Sequence, residues 1–116
     1  MCHVLIIEDD LLIALHLQTL LEENGATSVD VADTETKAIK AAAANPPAVI
    51  ISDVSLASGT GPSAVQAIHQ AHGVIPVIFV TGRPATCPPP GPQARVFGKP
   101  LDEAAVARAF HELRLA

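Results

Sequence analysis

The sequence predicts an α/β domain: a doubly wound, five-stranded parallel sheet in the order 2-1-3-4-5, covered by helices on both faces. Three observations carry this. Short apolar runs alternate with amphipathic stretches, the pattern of strand and helix in turn. The alternation fits five such units into 116 residues, close to the commonest length of one domain. The run Ala48–Ser52 is continuously apolar rather than alternating, as expected of a strand buried on both sides.

The elements follow in order. His3–Ile7 is rich in branched side chains and stops at acidic residues, a first strand. Asp10–Asn24 reads as a helix, with Ile13, Leu17, Leu20 and Leu21 on one face at spacings of three and four; Asp9 or Asp10 caps its start and Gly25 follows its end. Leu11, Leu12 and Leu15 fall outside that stripe and are read as extra core contact in preference to a partner surface. Ser28–Ala32 alternates as a half-buried strand. Thr34–Ala44 is an Ala-rich helix with Thr34 as N-cap and Asn45-Pro46-Pro47 as its stop. Ala48–Ser52 is the third strand and ends at Asp53. A Ser/Gly loop, Ser55–Gly61, leads to a helix over Pro62–Ala71, Pro62 being suited to a first turn. Pro76–Val80 is a fourth strand ending at Thr81-Gly82. Arg83–Pro92 holds five prolines and cannot form a regular helix, so the helix expected there is shortened or replaced by a Pro-rich loop. Ala94–Phe97 is a fifth strand. Asp102–Arg114 closes the chain as a helix with Val106, Ala109, Phe110 and Leu113 on one side, and Leu101 can staple onto Val106.

Composition narrows the function. Apolar residues make up 49% of the chain, enough for one core, and the net charge is −5. An acidic surface repels phosphate backbones, and a chain with no Trp, no Tyr and three Phe offers little for base stacking; no direct nucleic-acid partner is expected. Cys2 and Cys87 are too few for a disulfide framework and read as free thiols of a reducing compartment. No signal peptide or membrane-length apolar run is visible, so a soluble, cytoplasmic single domain, 1–116, is expected. His69 and His72 share a helix face but have no third ligand nearby, and read as solvated.

In a doubly wound sheet the site lies at the carboxyl ends of the strands, near the switch between strands 1 and 3. Strand 1 ends in Glu8-Asp9-Asp10, strand 3 in Asp53, strand 4 in Thr81-Gly82 and strand 5 in Lys99-Pro100. Carboxylates gathered at one edge repel, and a hard divalent cation such as Mg²⁺ resolves the repulsion while keeping some of its own water.

These residues resemble the response-regulator receiver family, a flavodoxin-like fold, over essentially the whole chain. The stretch VLIIEDD is similar to the family's acidic pair, which implies Glu8 and Asp9 as Mg²⁺ ligands. Asp53, closing AVIISD, corresponds to the phospho-acceptor, with the backbone carbonyl of Ser55 as a further ligand beside the Asp53 carboxylate. Thr81 corresponds to the hydroxyl that bonds the phosphoryl group, and Lys99 in GKP to the family's lysine, with a cis bond to Pro100. The resemblance implies a stand-alone receiver that takes a phosphoryl group from a histidine kinase or histidine phosphotransfer protein and signals to a downstream protein. It would catalyse its own phosphorylation and slow dephosphorylation while serving mainly as a switch; a homodimer stays open. Phe79-Val80-Thr81-Gly82 resembles the F-A-T-G motif of a single-domain subgroup common in alphaproteobacteria.

Two departures from the family matter, the missing aromatic residue of strand 5 and the prolines of Arg83–Pro92 where a helix should be. Val96 stands three residues before Lys99, where the family carries an aromatic residue, and Phe97 should point to the opposite face. Signal output is therefore expected through Thr81–Pro92, where Arg83 either donates to phosphoryl oxygens or is solvated. Other classes fit less well. A degenerate receiver acting by binding alone would not need the full acidic set. An aspartate-nucleophile phosphatase of the haloacid dehalogenase type wants a second Asp two residues after the nucleophile, where Ser55 stands. A flavin-binding protein would not place Glu8-Asp9-Asp10 against a phosphate.

Overall fold

The computed structural model describes residues 2–56, 58–82 and 93–114. Five strands, β1 (His3–Ile7), β2 (Ser28–Ala32), β3 (Val49–Asp53), β4 (Val77–Thr81) and β5 (Ala94–Gly98), form one parallel sheet in the order β2-β1-β3-β4-β5. Helices α1 (Leu11–Glu23), α2 (Glu35–Ala44), α3 (Gly61–His72) and α4 (Glu103–Arg114) complete the described elements. The expected architecture and strand order are observed. The Pro-rich stretch over 83–92, with Arg83 and Cys87, lies outside the described residues.

Burial follows strand parity. In β1, Val4 and Ile6 join a core layer with Ala14, Leu17 and Leu21 of α1 and Ala109, Phe110 and Leu113 of α4. Leu5 and Ile7 face the other way, into a layer with Ala38 and Ala42 of α2 and Ala64, Val65 and Ile68 of α3. Successive side chains of a strand point to opposite faces, so a strand covered on both sides must be apolar where it is covered, as Val4–Ile7 of β1 and Val49–Ile51 of β3 are. Phe110 is the largest fully buried side chain; truncating it to Ala would cost about 3–5 kcal/mol.

The helix starts follow capping chemistry. The Asp10 carboxylate accepts from Leu12 N at 3.0 Å and Ile13 N at 3.3 Å. The Thr34 hydroxyl accepts from Lys37 N at 3.2 Å, and Asp102 Oδ1 from Ala105 N at 3.1 Å. Thr60 caps α3, accepting from Ser63 N at 3.2 Å, so α3 begins one residue before Pro62.

Two expectations need correction. Leu11, Leu12 and Leu15 are exposed by 68%, 78% and 50%, not in the core. The buried face of α1 is centred on Ala14, Leu17 and Leu21, and Leu11 lies in the first turn, where α1 leaves the carboxyl edge of the sheet. His69 is not merely solvated: its Nε2–H donates to the Ile75 carbonyl at 2.9 Å, fastening the end of α3. Phe97 does turn away from Val96, packing on the α1–α4 layer.

Gly61 packs hard against the end of β3. A Cβ there would overlap the Asp53 carbonyl oxygen and Ser52 Oγ; a Cβ on Gly82 would meet nothing within 4 Å. Gly61→Ala is expected to cost at least about 2 kcal/mol, lowering Tm by roughly 5–10 °C, while Gly82→Ala leaves Tm near wild type. Thermal melts check this; equal melting of the two variants would contradict it.

Candidate functional site

Strand register builds the site. Ile7 pairs with Ser52, Asp53 with Val80, and Thr81 with Gly98. The next residue after each strand end is therefore fixed at one edge: Glu8 beside Asp53, and Lys99 beside Thr81. Backbone bonds hold these exits. Glu8 N donates to Ala32 O at 2.9 Å, Val54 N to Val80 O at 3.3 Å and Lys99 N to Thr81 O at 3.0 Å. The bond from Lys99 to Pro100 is cis.

Glu8, Asp9 and Asp53 each place a carboxylate oxygen within 4.8 Å of the others. Glu8 is buried, with 3% of its surface exposed, whereas Asp9 is open to solvent. Lys99 Nζ lies 3.3 Å from Asp53 Oδ2 and 4.0 Å from Glu8 Oε1. Thr81 is buried at the end of β4. Ser55 follows in the loop after β3 and forms an isolated antiparallel bridge with Thr60. The sequence-derived residues thus come to one edge, the three carboxylates in a single cluster.

The cluster is electrostatically strained. Burial pushes the Glu8 carboxyl up from 4.5 to about 7, and the neighbouring Asp53 charge pushes the same way; the Asp10 N–H, donating to Glu8 Oε2 at 3.2 Å, opposes both without cancelling them. Lys99 is too distant from Glu8 for a hydrogen bond. Three anionic oxygens on a half-open edge are hard donors, and they could hold a metal ion. The residues fit a divalent cation better than they fit one another.

Several residues around the edge carry no sequence motif. Asp33 and Lys37, paired at 3.2 Å, share an open cleft of about 410 Å³ with Glu8, Asp9, Leu11 and Val31. Glu35 bonds across to the β3–α3 loop, accepting from Thr60 N at 3.2 Å and Ser63 Oγ at 3.0 Å. An acidic first residue of a helix is ordinary, so nothing in the sequence singles Glu35 out; the contact needs the fold. Arg83 lies outside the described residues. No helix is long and apolar enough to cross a membrane among the described residues.

Comparison with known proteins bears on the family and the fold. The family described as response regulator receiver domain matches residues 4–87. The phyllosphere-induced regulator PhyR of Methylorubrum extorquens is 42% identical over 83 residues, 70% of this chain and 31% of that protein. The chain therefore spans about a third of the length of this curated relative. The receiver domain of Erythrobacter litoralis PhyR superposes with a TM-score of 0.85 at 32% identity, covering 98% of this chain and 90% of that one. The anti-anti-sigma factor PhyR of Bartonella quintana superposes with a TM-score of 0.85 at 31% identity, covering 98% of this chain and 48% of that one.

The Glu8 shift has a sign that can be checked. Between about 4.5 and 7 the folded protein holds a proton that the unfolded chain has lost. Stability of the metal-free protein therefore falls as pH rises through that window, by up to about 1.4 kcal/mol per pH unit. Melts in chelator should show Tm falling with pH across it, and Glu8→Gln should flatten the slope. Glu8→Gln with Asp9→Asn should also melt higher than wild type at neutral pH. A wild-type slope retained in Glu8→Gln would contradict the assignment.

Proposed function

The chain belongs to the response regulator receiver family, and on that premise we propose that it accepts a phosphoryl group onto Asp53 in a Mg²⁺-dependent reaction. The observation that carries the reading is the meeting of Glu8, Asp9 and Asp53 within 4.8 Å, with Lys99 Nζ 3.3 Å from the Asp53 carboxylate. A protein that acted only by binding partners would not need a buried carboxylate held against two others.

Glu8, Asp9, Asp53 and the Ser55 carbonyl would hold Mg²⁺. When bound, the ion supplies positive charge to the oxygens of a transferring phosphoryl group. The Asp53 carboxylate attacks phosphorus in line. A P–O bond forms as the P–N bond to the donor's imidazole breaks. The electron pair of that bond goes to the ring nitrogen, and with a proton already on the other ring nitrogen the donor leaves as neutral histidine, with an acyl phosphate on Asp53. Lys99, already beside Asp53, neutralises charge on the phosphoryl oxygens, and the Thr81 hydroxyl donates to one of them. There is little covalent chemistry beyond this; positioning and charge carry the rate. The donor is a histidine kinase or histidine phosphotransfer protein, and the phosphorylated form shifts a conformational equilibrium read by a downstream protein in the cytoplasm. The Bartonella quintana relative is described as an anti-anti-sigma factor, and a protein rather than a nucleic-acid target fits the net charge of −5 here.

Exposure to acetyl phosphate with Mg²⁺, followed by intact mass, tests the reading. Wild type should gain one phosphoryl group, and gain none in chelator. Asp53→Asn should gain none while melting close to wild type, because the amide keeps the shape and loses the nucleophile. Lys99→Ala should slow labelling at least tenfold. Full labelling of Asp53→Asn would overturn the assignment of the acceptor.

A further inference from the structure

We propose that Glu35 is a positioning residue that fixes the loop after Asp53, and with it the Ser55 carbonyl, for the metal; this rests on the Mg²⁺ site of the proposed function. The loop runs from β3 to α3, and Glu35 reaches it from a different element, the first residue of α2.

Three hydrogen bonds make the connection. Glu35 N donates to Ser58 O at 3.2 Å. Glu35 Oε1 accepts from Thr60 N at 3.2 Å and Oε2 from Ser63 Oγ at 3.0 Å. The carboxylate is thereby spread over the start of α3, where unsatisfied N–H groups and the helix dipole favour an anion. Gly59 closes the contact: it stands at φ +83°, and a Cβ on it would meet Glu35 Cβ at 2.6 Å. The loop backbone therefore lies directly against the Glu35 side chain.

What Glu35 holds leads back to the site. Thr60, whose N–H it accepts, bridges Ser55, and Gly61 N donates to Val54 O at 3.0 Å. Ser55 is thus held opposite the residue Glu35 pins, and Gly61 sits so close to the Asp53 carbonyl that no side chain fits. On the other side, Glu35 is anchored by α2, whose approach, Asp33 and Lys37, lines the cleft shared with Glu8 and Asp9. One helix start therefore lines the cleft beside Glu8 and Asp9 and bonds the far end of the loop that carries Ser55. Without the Glu35 carboxylate, the loop loses the two side-chain bonds to Thr60 N and Ser63 Oγ and keeps backbone bonds such as Glu35 N to Ser58 O and Gly61 N to Val54 O. The Ser55 carbonyl then has to be ordered further when the ion binds, which costs affinity.

The test compares wild type with Glu35→Ala and Glu35→Gln in the full chain. Mg²⁺ affinity is measured by calorimetry, and Thr60 amide exchange is measured in metal-free protein. Gln keeps an oxygen for Thr60 N and an amide for Ser63 Oγ but not the charge. Glu35→Ala should bind Mg²⁺ about tenfold more weakly and exchange the Thr60 amide faster. Glu35→Gln should stay within about threefold of wild type in affinity and keep Thr60 protected. Equal affinity in wild type and Glu35→Ala would overturn the positioning role, and equal weakening by Ala and Gln would replace it with a simple charge effect. A wild type that binds no Mg²⁺ would instead overturn the metal site on which the role rests.

Discussion

The structure turns on one unfavourable arrangement: a buried glutamate, Glu8, held against Asp53 and Asp9. Desolvation and like charge raise the free energy of the ionised cluster, and neither is relieved by a close ion pair to Glu8, since Lys99 stands 4.0 Å from it. A fold that stores such repulsion has a ready use for a hard cation. The same geometry leaves the Asp53 carboxylate next to an ammonium, where negative oxygens of a second group can be received.

Nothing local could assemble this cluster. It is produced by register, because the parallel pairings of Ile7 with Ser52, Asp53 with Val80 and Thr81 with Gly98 stack the strand exits at one edge. Register is in turn fixed by burial on both faces: a one-residue slip of β1 or β3 would exchange the side chains committed to the two core layers. Core packing and site geometry are therefore the same constraint. A change in the layer of Val4, Ile6 and Phe110 acts on the site through the strands, and the fit of Gly61 against Asp53 ties α3 to the same edge.

Much of this was legible in the sequence, because the signals were local or additive. Apolar runs marked the strands, Asp10, Thr34 and Asp102 marked helix starts, and chemistry-bearing residues stood at the run ends, so topology alone gathered Glu8, Asp53, Thr81 and Lys99. The misses share a different cause. The exposure of Leu11, Leu12 and Leu15 follows from their place outside the buried stripe of Ala14, Leu17 and Leu21; periodicity put them off the core face, and only their apolar character suggested cover there. The His69 bond to the Ile75 carbonyl and the bonds of Glu35 to the β3–α3 loop join segments whose approach is set by tertiary packing. The bond of His3 to Asp30 across β1 and β2, 3.0 Å long, likewise needs the register before it can be seen.

The most direct measurement follows the proton that the buried carboxylate must give up. Calorimetric titration with Mg²⁺ in buffers of different ionisation enthalpy counts the protons released per ion bound. With Glu8 pushed up to about 7, binding near pH 6 should release close to one proton, falling toward none well above neutrality, and Glu8→Gln should release almost none at either pH. Binding that releases no proton near pH 6, or a release unchanged in Glu8→Gln, would contradict a site in which a cation relieves the repulsion around a buried Glu8.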